Sequence, residues 1–173
     1  EESNEYFDRL YGGANFQCET CCVADMCVLA VMLSRLGGDY WDDADRWLRN
    51  QLAENQLTDL SWYYDGHLQI SPRSFRITGA YYTDLNVPER AIGTFAGWAP
   101  VNDWVGPVPS SVMNCCTVNG ARALYYLWRH TLTHQDDGRL RVNLLLNRAS
   151  RWADVDSYLP YEGRVDVKTK EAF

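Results

Sequence analysis

Four of the six cysteines stand in two doublets, Cys21-Cys22 and Cys115-Cys116, and each doublet sits at the start of an apolar, helix-patterned stretch. The first is crowded by further donors in Cys18-Glu19-Thr20-Cys21-Cys22, and the second lies in Asn114-Cys115-Cys116-Thr117-Val118-Asn119. Two such clusters, far apart in sequence and each at a helix entrance, point to one site assembled by folding. Thiolates are good nucleophiles and good zinc ligands. The chemistry open to such a site is metal binding, covalent catalysis or both.

Six cysteines in a small secreted chain would normally mean a disulfide framework. Here 173 residues with 46% apolar composition can build a core without staples. Neighbouring cysteines bridge each other only under strain, and Cys27 falls within an apolar helix where a buried thiol is ordinary. Reduced thiols are therefore expected, which favours a cytoplasmic location, and no secretory signal is expected at the polar start of the chain. The net charge of -7, from 16 basic against 23 acidic residues with no basic run, argues against nucleic acid and anionic membranes as partners. The longest apolar stretch, 21–33, is broken by Asp25 and is too short to span a bilayer. Seven Trp and eleven Tyr suit a cleft that stacks sugars, although packing is the better account of each ring taken singly.

The elements that would position these residues follow from periodicity. Thr20 to Leu36 is predicted as a first helix, apolar nearly all round and so buried on most faces, ending at Gly37-Gly38. Asp39 or Asp42 opens a second helix to about Asn55, with Trp41, Ala44, Trp47, Leu48 and Leu52 at helical spacing. The short loop makes these an antiparallel pair, an alternation of inner and outer helices that concentric barrels use. Residues 57–114 form a long insertion with strand character at 60–64 and 74–78, punctuated by Pro and Gly; it predicts ordered loops around a cleft. A third helix is predicted over Thr117–Thr133, with Val118, Ala121, Tyr125, Trp128 and Leu132 as its apolar stripe. From Arg139 the period changes to two, giving a strand over 140–146 and another at 165–169 that ends without a partner. The organisation is thus a helical region over 1–137 and a β region over 138–173.

Glu19-Thr20-Cys21 at one helix entrance and Cys115-Cys116-x-x-Asn119 at a later one resemble glycoside hydrolase family 127. That family is best known for β-L-arabinofuranosidase activity and largely overlaps domain of unknown function 1680. Val23-Ala24-Asp25-Met26, Tyr40-Trp41-Asp42-Asp43 and Arg141-Val142-Asn143-Leu144-Leu145-Leu146-Asn147 are similar to an uncharacterised bacterial branch of it. The resemblance runs across nearly all of this chain, which would cover only part of a typical member. It implies a mainly α fold, part of an (α/α)6 barrel over 1–137 leading into the start of a β-sandwich over 138–173. It also implies a zinc ion held by Glu19, Cys21, Cys115 and Cys116, with Cys115 as the nucleophile of a retaining glycosidase. The substrate would be a β-L-arabinofuranoside or a related sugar. Thr117-Val118 replace the two prolines of the commonest family pattern, and Cys18 and Cys22 add thiols that leave open which sulfurs hold the metal. Counting back from Glu19 by the family's spacing makes Glu2 the expected acid/base. Tyr64, in Trp62-Tyr63-Tyr64, and His67 are expected sugar contacts.

Retention requires a nucleophile on one face of the anomeric carbon and a proton donor on the other. A cysteine serves as nucleophile if it is a thiolate near neutral pH, and zinc coordination removes the thiol proton. Four ligands would also close a tetrahedral shell, as structural zinc sites do. A non-catalytic zinc-stabilised helical domain therefore stands beside the glycosidase. A thiol-redox role ranks third, because Cys18-x-x-Cys21 lacks the surrounding βαβ pattern. His130 and His134 are i and i+4 but have no His-Glu context, and Asn119 and Arg122 could orient the second doublet. The pattern specifies no oligomeric state.

Overall fold

A run of helix-forming residues without Gly or Pro makes Thr20–Arg35 the first helix, α1. It ends where the glycines predict. Gly37 takes a left-handed φ of 101°, its N–H donates to the Ser34 carbonyl, and Gly38 N–H donates to the Leu33 carbonyl. Helix α2, Trp41–Trp47, follows with Asp42 and Asp43 in its first turn, where the helix dipole favours acids. It runs directly into a π-helical turn, Leu48–Leu52, closed by Ala53 N–H on the Leu48 carbonyl at 2.8 Å. That wider turn buries Gln51 together with Leu48 and Leu52. The computed structural model describes residues 18–61, 86–99 and 112–171.

The short helix α3, Val87–Arg90, leads through a loop to strand β2, Trp98–Ala99. β2 pairs antiparallel with strand β1, Cys18–Glu19, Cys18 opposite Ala99 and Glu19 opposite Trp98. Helix α4, Asn114–Arg129, lies against α1. Contacts Cys21–Cys116 and Asp25–Arg122 advance together along both helices, so the two run side by side in the same direction. Their shared core gathers Ala24, Val28, Val31, Phe95, Ala123 and Leu127.

The stripe predicted on the third helix faces the other way. Val118, Tyr125 and Trp128 are exposed, and the buried side of α4 carries Cys116, Gly120, Ala123 and Leu127. Met26, Leu29, Met32 and Leu33 of α1 are exposed as well, so that helix is covered on one side only. No (α/α)6 barrel is present among the described residues, and the expectation of a mainly α fold built on one is corrected. A barrel needs successive helix hairpins that close a ring. The described residues instead supply four α-helices, α3 being a single turn, among three short antiparallel sheets, and after the π turn only α3 and strand β2 precede α4.

Beyond α4, strands β3, Leu132–His134, and β4, Leu140–Val142, form a hairpin whose turn uses Gly138 at φ 88°. The strand expected over 140–146 stops at Val142 because Asn143 turns its polar groups to the preceding strand. Its N–H donates to the Thr131 carbonyl, and its Nδ2 donates to the His130 carbonyl and Thr133 Oγ1. Leu144 then drops into the helical core. Strands β5, Arg148–Ala149, β6, Ala153–Ser157, and β7, Val165–Thr169, make one antiparallel sheet. β7 lies where predicted, but it is paired along its whole length with β6. The β3–β4 hairpin packs on this sheet: Leu132, Leu140 and Val142 join Ala153, Val155 and Val165 in one apolar cluster. Among these residues, too, no helix is long and apolar enough to cross a membrane.

Candidate metal centre

The two cysteine clusters meet. Glu19 immediately precedes α1 and makes no capping side-chain hydrogen bond, Cys21 lies in the first turn of that helix, and Cys115 and Cys116 lie in the first turn of α4. Helix α4 begins at Asn114, ahead of the predicted Thr117, so the doublet is inside the helix rather than before it. Ligand atoms of Glu19, Cys21, Cys115 and Cys116 all lie within 4.8 Å of one another. Sγ of Cys116 is 3.4 Å from Sγ of Cys21, 3.9 Å from Sγ of Cys115 and 3.8 Å from Oε1 of Glu19. None of the six cysteines forms a disulfide.

These separations are close enough for the four residues to share one ion. Metal–sulfur bonds of about 2.3 Å at tetrahedral angles leave sulfur atoms about 3.8 Å apart. Three sulfurs and one carboxylate also suit zinc by donor type. The four are buried unequally: Cys116 is sealed, Glu19 and Cys21 are half-buried, and Cys115 is exposed. The cluster therefore opens outward on the side of Cys115.

Electrostatics favour a cation here. Burial pushes the Cys21 thiol above its ordinary pKa, partly offset by Asn119, whose Nδ2 donates to the sulfur at 3.2 Å. Burial raises Cys116 further, and its contact with Cys21 adds to the shift. Several ionised donors in such a small volume would repel one another, so their ionisation calls for a positive charge among them. The positive ends of the two helices that converge here stabilise the ionised donors themselves.

The loop before β2 is the frame of this site. Gly97 offers its carbonyl to Thr20 N–H at 3.0 Å and to the Cys116 thiol at 3.7 Å. Phe95 N–H donates to Thr117 Oγ1 at 3.1 Å, and the Phe95 ring fills the space that Gly120 leaves open. A Cβ at Gly120 would stand 2.7 Å from that ring. On the outer side, Arg122 Nη2 reaches Asp25 at 2.5 Å and ties the two helices together. Sequence reasoning missed Phe95 and Gly97, which lie in a stretch with no periodic signal.

Of the extra thiols, Cys18 in β1 and Cys22 on the exposed side of α1 fall outside the four-residue group. Cys27 is fully buried, and burial pushes its thiol up to about 12. His130 stacks on Tyr126, with Nδ1 2.8 Å from the Tyr126 carbonyl, and His134 stacks on Trp152. Neither joins the cluster. Glu2, Tyr64 and His67 lie outside the described residues. No protein-family model, curated protein or solved structure matches this chain.

Proposed function

We propose that Glu19, Cys21, Cys115 and Cys116 hold zinc, and that Cys115 is the nucleophile of a retaining glycoside hydrolase. The substrate class is β-L-arabinofuranosides or a related sugar, as the resemblance to glycoside hydrolase family 127 implies. One observation carries the reading: within the cluster, Cys116 is sealed and Cys115 is exposed. The buried thiolate suits a permanent ligand, and the exposed one suits attack on a molecule arriving from outside. Zinc supplies the thiolate form near neutral pH.

In this reading the Cys115 thiolate attacks the anomeric carbon while the glycosidic C–O bond breaks and the leaving oxygen takes a proton from an acid. Water then attacks the same carbon and gives a proton back to the now deprotonated acid, the C–S bond breaks, and the thiolate is restored. Glu2 is the proposed acid, and Tyr64 and His67 are the proposed sugar contacts. Thiolate ligands suit a reducing, cytoplasmic setting. The completeness of the four-donor set favours a second reading, in which the metal only joins the entrances of α1 and α4.

Aryl β-L-arabinofuranosides offered to the zinc-loaded chain separate the two. Release of the phenol by the wild type, abolished in Cys115→Ser, supports the glycosidase. A zinc-loaded chain that releases none, with Cys115→Ser changing only stability, leaves the structural site.

A further inference from the structure

Behind the cluster, on the side away from solvent, three polar side chains are buried without any role in holding a ligand. Thr20 and Asn55 are wholly inaccessible and Gln51 nearly so. Thr20 stands between Glu19 and Cys21 in the chain, so its placement sets the placement of both donors. It is pinned from three directions. Its N–H donates to the Gly97 carbonyl at 3.0 Å, its hydroxyl donates to the Ala96 carbonyl at 2.6 Å, and the same oxygen accepts from Asn55 Nδ2 at 2.8 Å. Asn55 in turn accepts Gln51 Nε2 on its Oδ1 at 2.9 Å, and its carbonyl accepts Ala96 N–H at 2.9 Å. Gln51 Nε2 also reaches the Ala99 carbonyl at 3.1 Å.

We infer that Asn55, acting through Thr20 and supported by Gln51, is a positioning residue of the metal centre, an assignment that rests on the metal reading above. The entrance of α1 has no side-chain cap to fix it, and Glu19 and Cys21 are themselves only half-buried. An uncapped helix start frays, and a fraying start would let the two donors drift. Apolar side chains would join α1 to the π turn without the desolvation that buried amides and hydroxyls suffer. What the polar network adds is direction: it locks the Glu19-Thr20-Cys21 backbone to the 96–99 loop that also touches Cys116. The π turn brings Gln51 to the buried side, and Asn55 N–H bonds back to the Gln51 carbonyl at 3.0 Å. Partners behind the ligands commonly set affinity in this way.

Zinc affinity, read by competition against cobalt in the full chain, tests the assignment alongside the thiolate-to-cobalt absorption and the rise in Tm that zinc produces. Thr20→Val and Asn55→Leu should weaken zinc by about 10- to 100-fold, alter the cobalt spectrum and shrink the zinc-induced rise in Tm. Thr20→Ser, which keeps the hydroxyl, should stay close to wild type. Val155→Ala, in the distant sheet, should lower Tm equally with and without zinc and leave affinity unchanged. Wild-type affinity, spectrum and zinc-induced Tm rise in both Thr20→Val and Asn55→Leu would overturn the inference. If those variants do not fold, Gln51→Leu carries the same test with a smaller expected loss, and wild-type affinity there overturns it. A wild-type chain that takes up neither zinc nor cobalt removes the metal reading, and this inference with it, before any variant is compared.

Discussion

The helical part of the molecule and the sheet that follows it handle polar groups in opposite ways. Around α1 and α4, polar side chains are taken inside: Thr20, Gln51, Asn55 and Cys116 are buried and bonded to one another or to the backbone of the 95–99 loop. Around β6 and β7 they stay outside, as the pairs Lys168–Asp156 and Lys170–Asp154 and as Arg164 over the Tyr158 ring. The core between this sheet and the β3–β4 hairpin is only Leu132, Ala153 and Val155 with partly buried neighbours. Apolar contact and ladder bonds suffice to close a small sheet. Converging donors need fixed directions, and buried polar networks supply them. The contrast marks the helical part as the place where chemistry is organised.

The contrast can be broken or sharpened in four ways, the largest first. Phe95 is fully buried and fills the space beside Gly120, so Phe95→Ala should destabilise the helical part by about 3–5 kcal/mol in denaturant unfolding. Amide exchange in β6 and β7 should change far less. Gly120→Ala must move the Phe95 ring, costing about 1–3 kcal/mol by overpacking, against about 1 kcal/mol gained in helix propensity. A net loss is expected, and a clear gain in Tm would mean that the ring does not sit against α4.

The third test is pH. Burial holds His130 below its ordinary pKa, with Arg35, Arg129 and Arg148 adding to the effect. The unfolded chain therefore takes up the proton first as pH falls below about 6.5. Stability is fully present above that value and is lost as pH falls toward the depressed folded pKa. A plot of Tm against pH should bend downward there, less so in His130→Gln. Smallest of all is Lys168→Ala, which removes an exposed pair and should leave Tm unchanged in low or high salt.

The site was more legible in the sequence than the fold. The cysteine clusters at two helix entrances were legible as one assembled site. The resemblance to glycoside hydrolase family 127 singled out Glu19, Cys21, Cys115 and Cys116 among their donors, and the fold does bring those four together. The Gly37-Gly38 stop was equally plain, since only a left-handed residue ends α1 in that way. Which face of α4 is buried was not legible. Periodicity groups Val118, Tyr125 and Trp128 on one face, but it does not say that small residues, Gly120 and Ala123, admit the close neighbours on the other. Thr20, Gln51 and Asn55 were invisible for a related reason. A polar residue in a helical pattern looks like surface until its buried partners are known. The barrel expectation failed through the same gap, because a short helix hairpin is shared by many arrangements and fixes none of them.

The most direct measurement of the central claim is native mass spectrometry of the unreduced chain, paired with thiol alkylation before and after a chelator. The account predicts one zinc per chain, with Cys21, Cys115 and Cys116 protected until the chelator is added and Cys22 alkylated at once. A metal-free chain whose Cys21 and Cys115 react as fast as Cys22, with no change on adding chelator, would contradict it.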